Sequence, residues 1–136
     1  MDCSVICYAA RRTALCEKAI RRAAASMGLR VASSCYATDA AALGEKLREA
    51  FAHSGVCFVT GGLGFSDSRS LSGIIARAAF RSQPDLIRRL PNSDGDDGYI
   101  LRAGGRLLVL LPDEPAQLEK LLGGILHDFI QHSIQS

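Results

Sequence analysis

The stretch that decides the fold is VCFVTGGLGFSDSRSLS, residues 56–72. Its first residues are continuously apolar up to Thr60, as in a strand whose two faces are both covered by helices. Gly61, Gly62 and Gly64 follow, then the hydroxyls of Ser66, Ser68, Ser70 and Ser72. GIIARAAF, residues 73–80, resumes with helical spacing, so the sequence predicts a helix over residues 70–81. In open α/β sheets ligands lie beyond the carboxyl ends of the strands, where a helix N-terminus offers unpaired N–H groups to an anion. Two readings of the residues stand. In one, Gly61, Gly62 and Gly64 let a ligand approach the backbone, Ser66 and Ser70 donate hydrogen bonds, and Arg69 supplies the counter-charge. In the other, the glycines make a tight structural turn. The stretch has neither the Lys-Ser/Thr of a Walker A loop nor the GxGxxG of dinucleotide folds.

Upstream, the pattern is βαβα. Residues 3–9, CSVICYA, suit a buried strand, and residues 30–37, RVASSCYA, form a weaker one. Between them Cys16, Ile20, Ala23, Ala24 and Met27 fall on one helical face, with Gly28 placed to stop the helix. Asp39 is the expected N-cap of a second helix, whose inner face is Leu43, Leu47, Ala50 and Phe51 and which ends before Gly55. Downstream, SQPD breaks the periodicity and LPNSDGDDG, residues 90–98, reads as a polar loop rich in turn formers. YILRAGGRLLVLL, residues 99–111, then reads as a hairpin about AGG. From Pro115 to about Ser133 the residues Leu118, Leu121, Leu122, Ile125, Leu126, Phe129 and Ile130 form the stripe of one long helix, buried in the protomer or in a subunit contact. The expected fold is a three-layer α/β/α sandwich on a mixed, mostly parallel sheet, with residues 56–60 as an interior parallel strand.

The chain of 136 residues is treated as one unit with no repeat or linker, and 48% hydrophobic against 22% charged residues predicts a substantial core. Sixteen basic and 14 acidic side chains leave a charge of +2. That balance argues against nucleic acid or a membrane surface as the main partner. The pairs Arg11/Arg12, Arg21/Arg22 and Arg88/Arg89 have phosphate-gripping chemistry but read first as solvated faces. Five cysteines without a CxxC pair suggest neither a zinc site nor a disulfide framework. His53, His127 and His132 fall on expected helices without metal-site spacing, so no resident metal is assigned. With no leader or spanning segment, a cytoplasmic protein is expected.

VCFVTGGLG resembles the strand and turn of the molybdopterin-binding domain family, which includes the MoaB and Mog proteins of molybdenum cofactor biosynthesis and the CinA-type competence/damage-inducible proteins. The GGLG form is nearer the CinA branch. A second block, residues 90–122, is similar to the family's NPxGxxPGF loop, hairpin and LPGxPxEM turn, with Asn92, Gly95, Gly98 and Tyr99 aligning in order, then Leu111, Pro112 and Pro115. The resemblance implies a ligand site at Gly61, Gly62, Gly64, Ser66, Asp67, Arg69, Ser70, Asn92, Gly95 and Pro112. It also implies a small phosphate-bearing ligand, molybdopterin or a nucleotide, and a homo-oligomer, dimer or trimer. Departures fall on the ligand-facing loops: Arg69 or Ser70 stands where the family has a carboxylate, Asp113 where it has a glycine, and AARRTA follows the first strand in place of an acidic motif. The segment between Phe80 and Pro91 is also shorter.

Two functional expectations follow. The first is a binding module that holds a pterin phosphate or nucleotide without turning it over. The second is a Mg²⁺-dependent enzyme on phosphoanhydrides, either adenylylating molybdopterin or cleaving a nucleotide sugar, in which Asp67, Asp94, Asp96 and Asp97 would supply the metal ligands. Against the latter stands the reading of DGDDG as a solvated turn. A degenerate subunit with a role in assembly is a third reading.

Overall fold

The computed structural model describes residues 2–8, 13–62, 86–95, 97–103, 106–124 and 130. The first half forms as its periodicities predict: β1 (Asp2–Tyr8), α1 (Thr13–Ser26), β2 (Arg30–Ala37), α2 (Ala40–His53) and β3 (Val56–Thr60). α1 buries Cys16, Ala19, Ile20 and Ala24 on one side. Its stop is local: Gly28 has φ 79°, a left-handed backbone that glycine adopts without strain, and the Leu29 N–H closes back on the Ala24 carbonyl at 2.8 Å. α2 starts at Asp39, whose carboxylate accepts the Ala42 N–H at 2.7 Å, as expected of the N-cap.

The second half holds β4 (Leu86–Leu90), β5 (Gly98–Ala103), β6 (Arg106–Leu111) and α3 (Pro115–Gly123). β5 and β6 are the expected hairpin. β4, LIRRL, is not among the expected elements, because two adjacent arginines hide the period in a five-residue run. Those arginines are exposed, and among the described residues the strand pairs with β5 only. The long final helix is corrected: α3 ends at Gly123, and Gly124 leaves helical geometry at φ −105°, ψ −125°. Glycine pairs in a helix interior favour such a break. The apolar stripe is otherwise buried where described, at Leu118, Leu122 and Ile130, with Leu121 packed beside them. Ile125, Leu126 and Phe129, and the helix expected over residues 70–81, lie outside the described residues.

The described strands form one sheet in the order β2-β1-β3-β6-β5-β4. β2, β1, β3 and β6 run parallel, while β5 is antiparallel to both β6 and β4, which is the expected mixed sheet. Alternate residues point to opposite faces. One face sets Val5, Phe58, Ile100, Val109 and Leu111 against Cys16 and Ile20 of α1 and Leu118 and Leu122 of α3. The other sets Ile6, Tyr8, Val59, Leu108 and Leu110 against Leu43, Leu47 and Phe51 of α2. Helices thus cover both faces, completing three layers, and β3 lies between two parallel neighbours.

Chain direction fixes where a ligand can sit. The first two crossovers leave β1 and β2 for opposite faces, so the strand order reverses between β1 and β3, the place where doubly wound sheets open a crevice. The carboxyl ends of β1, β3 and β6 share one end of the sheet. Leu90 pairs with Gly98 and Tyr99 with Leu110, so the β4–β5 connection emerges at that same end.

Candidate functional site

At this end the turn after β3 begins with two successive left-handed residues, Gly61 at φ 96° and Gly62 at φ 80°. Side chains there would strain the backbone, so the glycines are required by the turn geometry itself. The turn lies against the start of the β6–α3 connection. Gly61 N–H donates to the Leu111 carbonyl at 2.9 Å, and the Thr60 hydroxyl donates to the Pro112 carbonyl at 2.8 Å.

The β4–β5 loop is fastened to α3. Asn92 Oδ1 accepts from the Asp94 N–H at 3.1 Å, and Asn92 Nδ2 donates to Gln117 Oε1 at 2.8 Å. Gln117 Nε2 donates in turn to the Asp94 carbonyl at 3.0 Å. A Cβ on Gly95 would lie 2.8 Å from Gln117 Oε1, so the small residue lets the amide enter the loop. At the base of the loop, a Cβ on Gly98 would lie 2.8 Å from the Leu110 carbonyl, where backbone cannot yield. Both described carboxylates of DGDDG are engaged: Asp94 with Lys120 at 3.0 Å, Asp97 with the Asn92 N–H at 2.8 Å and with Arg89 at 3.6 Å. These contacts fit a turn at that segment, with its described acids partnered within the fold rather than only solvated. Among the described residues no group of three or more His, Cys, Asp or Glu could hold a metal ion.

Of the predicted site residues, Gly61, Gly62, Asn92, Gly95 and Pro112 are brought to one end of the sheet. Gly64, Ser66, Asp67, Arg69 and Ser70 lie outside the described residues, as does Asp96. Asn92 and Gly95 shape their loop through Gln117. Two residues that the sequence reading passed over connect the parts: Thr60 and Gln117. Thr60 had a signal, since residues 56, 58 and 60 share an inward face and a hydroxyl there needs a partner. Gln117 occupies the third helical position, where Glu or Gln often bonds back to the cap, but here it reaches a loop whose position no local pattern reveals.

The thiols are not part of this chemistry. Burial pushes Cys3 up to about 11 and Cys7 up to about 12, and it raises Cys57 further, so all three stay protonated and unreactive at neutral pH. Among the described residues no helix is long and apolar enough to cross a membrane.

No family model and no curated protein matches the chain. Solved structures do. The CinA protein of unknown function from Thermoplasma acidophilum superposes with a TM-score of 0.76 at 20% identity, covering 93% of this chain and 96% of that one. The molybdopterin biosynthesis Mog protein from Mycobacterium ulcerans gives 0.69 at 19% identity over 97% of this chain and 98% of its own. The molybdopterin biosynthesis enzyme MoaB from Thermus thermophilus gives 0.68 at 15% identity over 99% and 97%. The mixed six-stranded sheet with helices on both faces is thus the fold of the CinA, Mog and MoaB structures.

Proposed function

We propose that the protein is a molybdopterin-binding-like module that holds a phosphate-bearing ligand, a pterin phosphate or a nucleotide, without turning it over. The observation that carries this reading is the pair of left-handed glycines, Gly61 and Gly62, at the carboxyl end of an interior parallel strand. Such a turn lets an anion approach backbone N–H groups that a side chain would shield. Two of the solved structures of like fold are named for molybdopterin biosynthesis, which supports a pterin among the candidates. The binding module is preferred to the Mg²⁺-dependent enzyme because Asp94 and Asp97 are committed to hydrogen bonds and ion pairs within the fold. Action as one cytoplasmic unit, assembled as a homo-oligomer, belongs to the same proposal.

The test is thermal stability and calorimetry with molybdopterin, AMP, ADP and ADP-ribose, each with and without Mg²⁺. A ligand bound only by the folded state at a hundredfold excess over its Kd adds about 2.7 kcal/mol. Gly62→Val should weaken binding by about tenfold or more, since each hydrogen bond to a charged group contributes roughly 1.5–3 kcal/mol. Turnover of any of these compounds by the native protein overturns the binding-module reading, and absence of stabilisation by all of them leaves the glycines as a turn alone.

A further inference from the structure

The join between β3 and β6 ends in a way that main-chain pairing does not dictate. Thr60 is in register with Leu111, and the Gly61 N–H donates to the Leu111 carbonyl. There the backbone ladder stops, because Gly61 and Gly62 turn away with positive φ. One more bond nevertheless crosses between the strands. Thr60 is fully buried, and its Oγ1 donates to the buried Pro112 carbonyl at 2.8 Å.

We propose that Thr60 is the positioning residue of the ligand rim: its hydroxyl fastens the glycine turn to the β6–α3 turn, so that the two form one preorganised surface spanned by a phosphate-bearing ligand. The ligand part of this rests on the proposed function; the fastening does not. Thr60 does not itself face a ligand, since it lies inside the core. Its effect comes from where the bond sits, one residue before each chain leaves the rigid sheet. Remove the hydroxyl and the buried Pro112 carbonyl loses the donor it has among the described residues. The strands cannot relax toward solvent, so the adjustment falls on the two turns. A ligand must then order them itself, which weakens binding without altering any group that touches it.

The test compares native protein, Thr60→Val and Thr60→Ser by ADP calorimetry and by amide hydrogen exchange without ligand. Thr60→Val should lose about tenfold or more in ADP affinity, and Thr60→Ser, which keeps the donor, should stay within about threefold of native. In exchange, the amides of residues 61–62 and 113–114 should speed up together in Thr60→Val while those at the centre of β1 do not; a merely structural loss would raise exchange throughout. If Thr60→Val binds ADP as the native protein does, with both turns unchanged, the proposal is overturned and the anion reading stays intact. If native protein takes neither ADP nor AMP, ADP-ribose or molybdopterin, the proposed function fails, and the exchange arm still decides whether Thr60 joins the turns. Should Thr60→Val not fold, Thr60→Ala is read against Thr60→Ser at the same amides: faster exchange at residues 61–62 and 113–114 in Thr60→Ala alone supports the lock, and equal exchange in the two overturns it.

Discussion

β3 and β2 are strands of one sheet, yet they are built in opposite ways. All residues of β3 are buried, with β1 and β6 on its flanks and helices above and below. Among the described residues β2 has a neighbour on one side only, and Ala37 is its one buried residue. Its register with β1 slips between Cys3 and Ser4, leaving Ala32 unopposed. A bulge and a charged residue such as Arg30 are means by which an edge resists further pairing. β2 is held instead by polar bonds: Ser33 Oγ donates to Ser4 Oγ at 3.0 Å, Tyr36 Oη donates to Glu17 Oε2 at 3.2 Å, and Arg30 pairs with Asp2 at 3.0 Å. The difference teaches that continuous apolarity reports how fully a strand is enclosed, whereas a strand of mixed burial leans on polar bonds.

The contrast can be broken most sharply in the core. Phe58→Ala should cost about 3–5 kcal/mol in denaturant unfolding, whereas Val31→Ala on the half-buried edge should cost less than about 1.5 kcal/mol. Equal losses would mean that β2 is as structural as β3. A smaller effect is expected where the edge hands the chain back to the interior through α2. Asp39→Ala should cost about 1 kcal/mol by removing the acceptor of the Ala42 N–H, and Asp39→Asn should restore most of it.

The smallest effect concerns the flank of β2. Arg21 is the main cause that holds the Glu17 carboxyl below its ordinary value of 4.5, burial opposes it, and the Tyr36 hydroxyl assists. A carboxyl whose folded pKa is lowered contributes stability above its unfolded value and loses it as pH falls through the folded value. Glu17→Gln should therefore be slightly less stable than native at neutral pH, with the gap closing below about pH 4.5. A gap that widens on acidification would show that this carboxylate does not hold the edge.

Much of the fold was legible because its determinants lie within a few residues of one another. Gly28 stops α1 through its own φ, Asp39 caps α2 three residues away, and the unbroken apolar run marks β3 as covered on both faces. β4 was not legible, since LIRRL gains its strand state from pairing with β5. The break at Gly124 was hidden by an apolar stripe that continues past it. The same division runs through the candidate site. Gly61 and Gly62 were found from composition at the end of an apolar run, but the reach of Gln117 to Asn92 was not.

Side-chain type and spacing alone determined the alternation of strands and helices, the central place of residues 56–60, and the glycine turn, because backbone preference and burial period are local properties. Tertiary structure decided that β6 lies beside β3, that the β4–β5 loop emerges at the same end of the sheet, and that the Thr60 hydroxyl meets a carbonyl 52 residues away. A buried hydroxyl must find an acceptor, but strand order chooses which one.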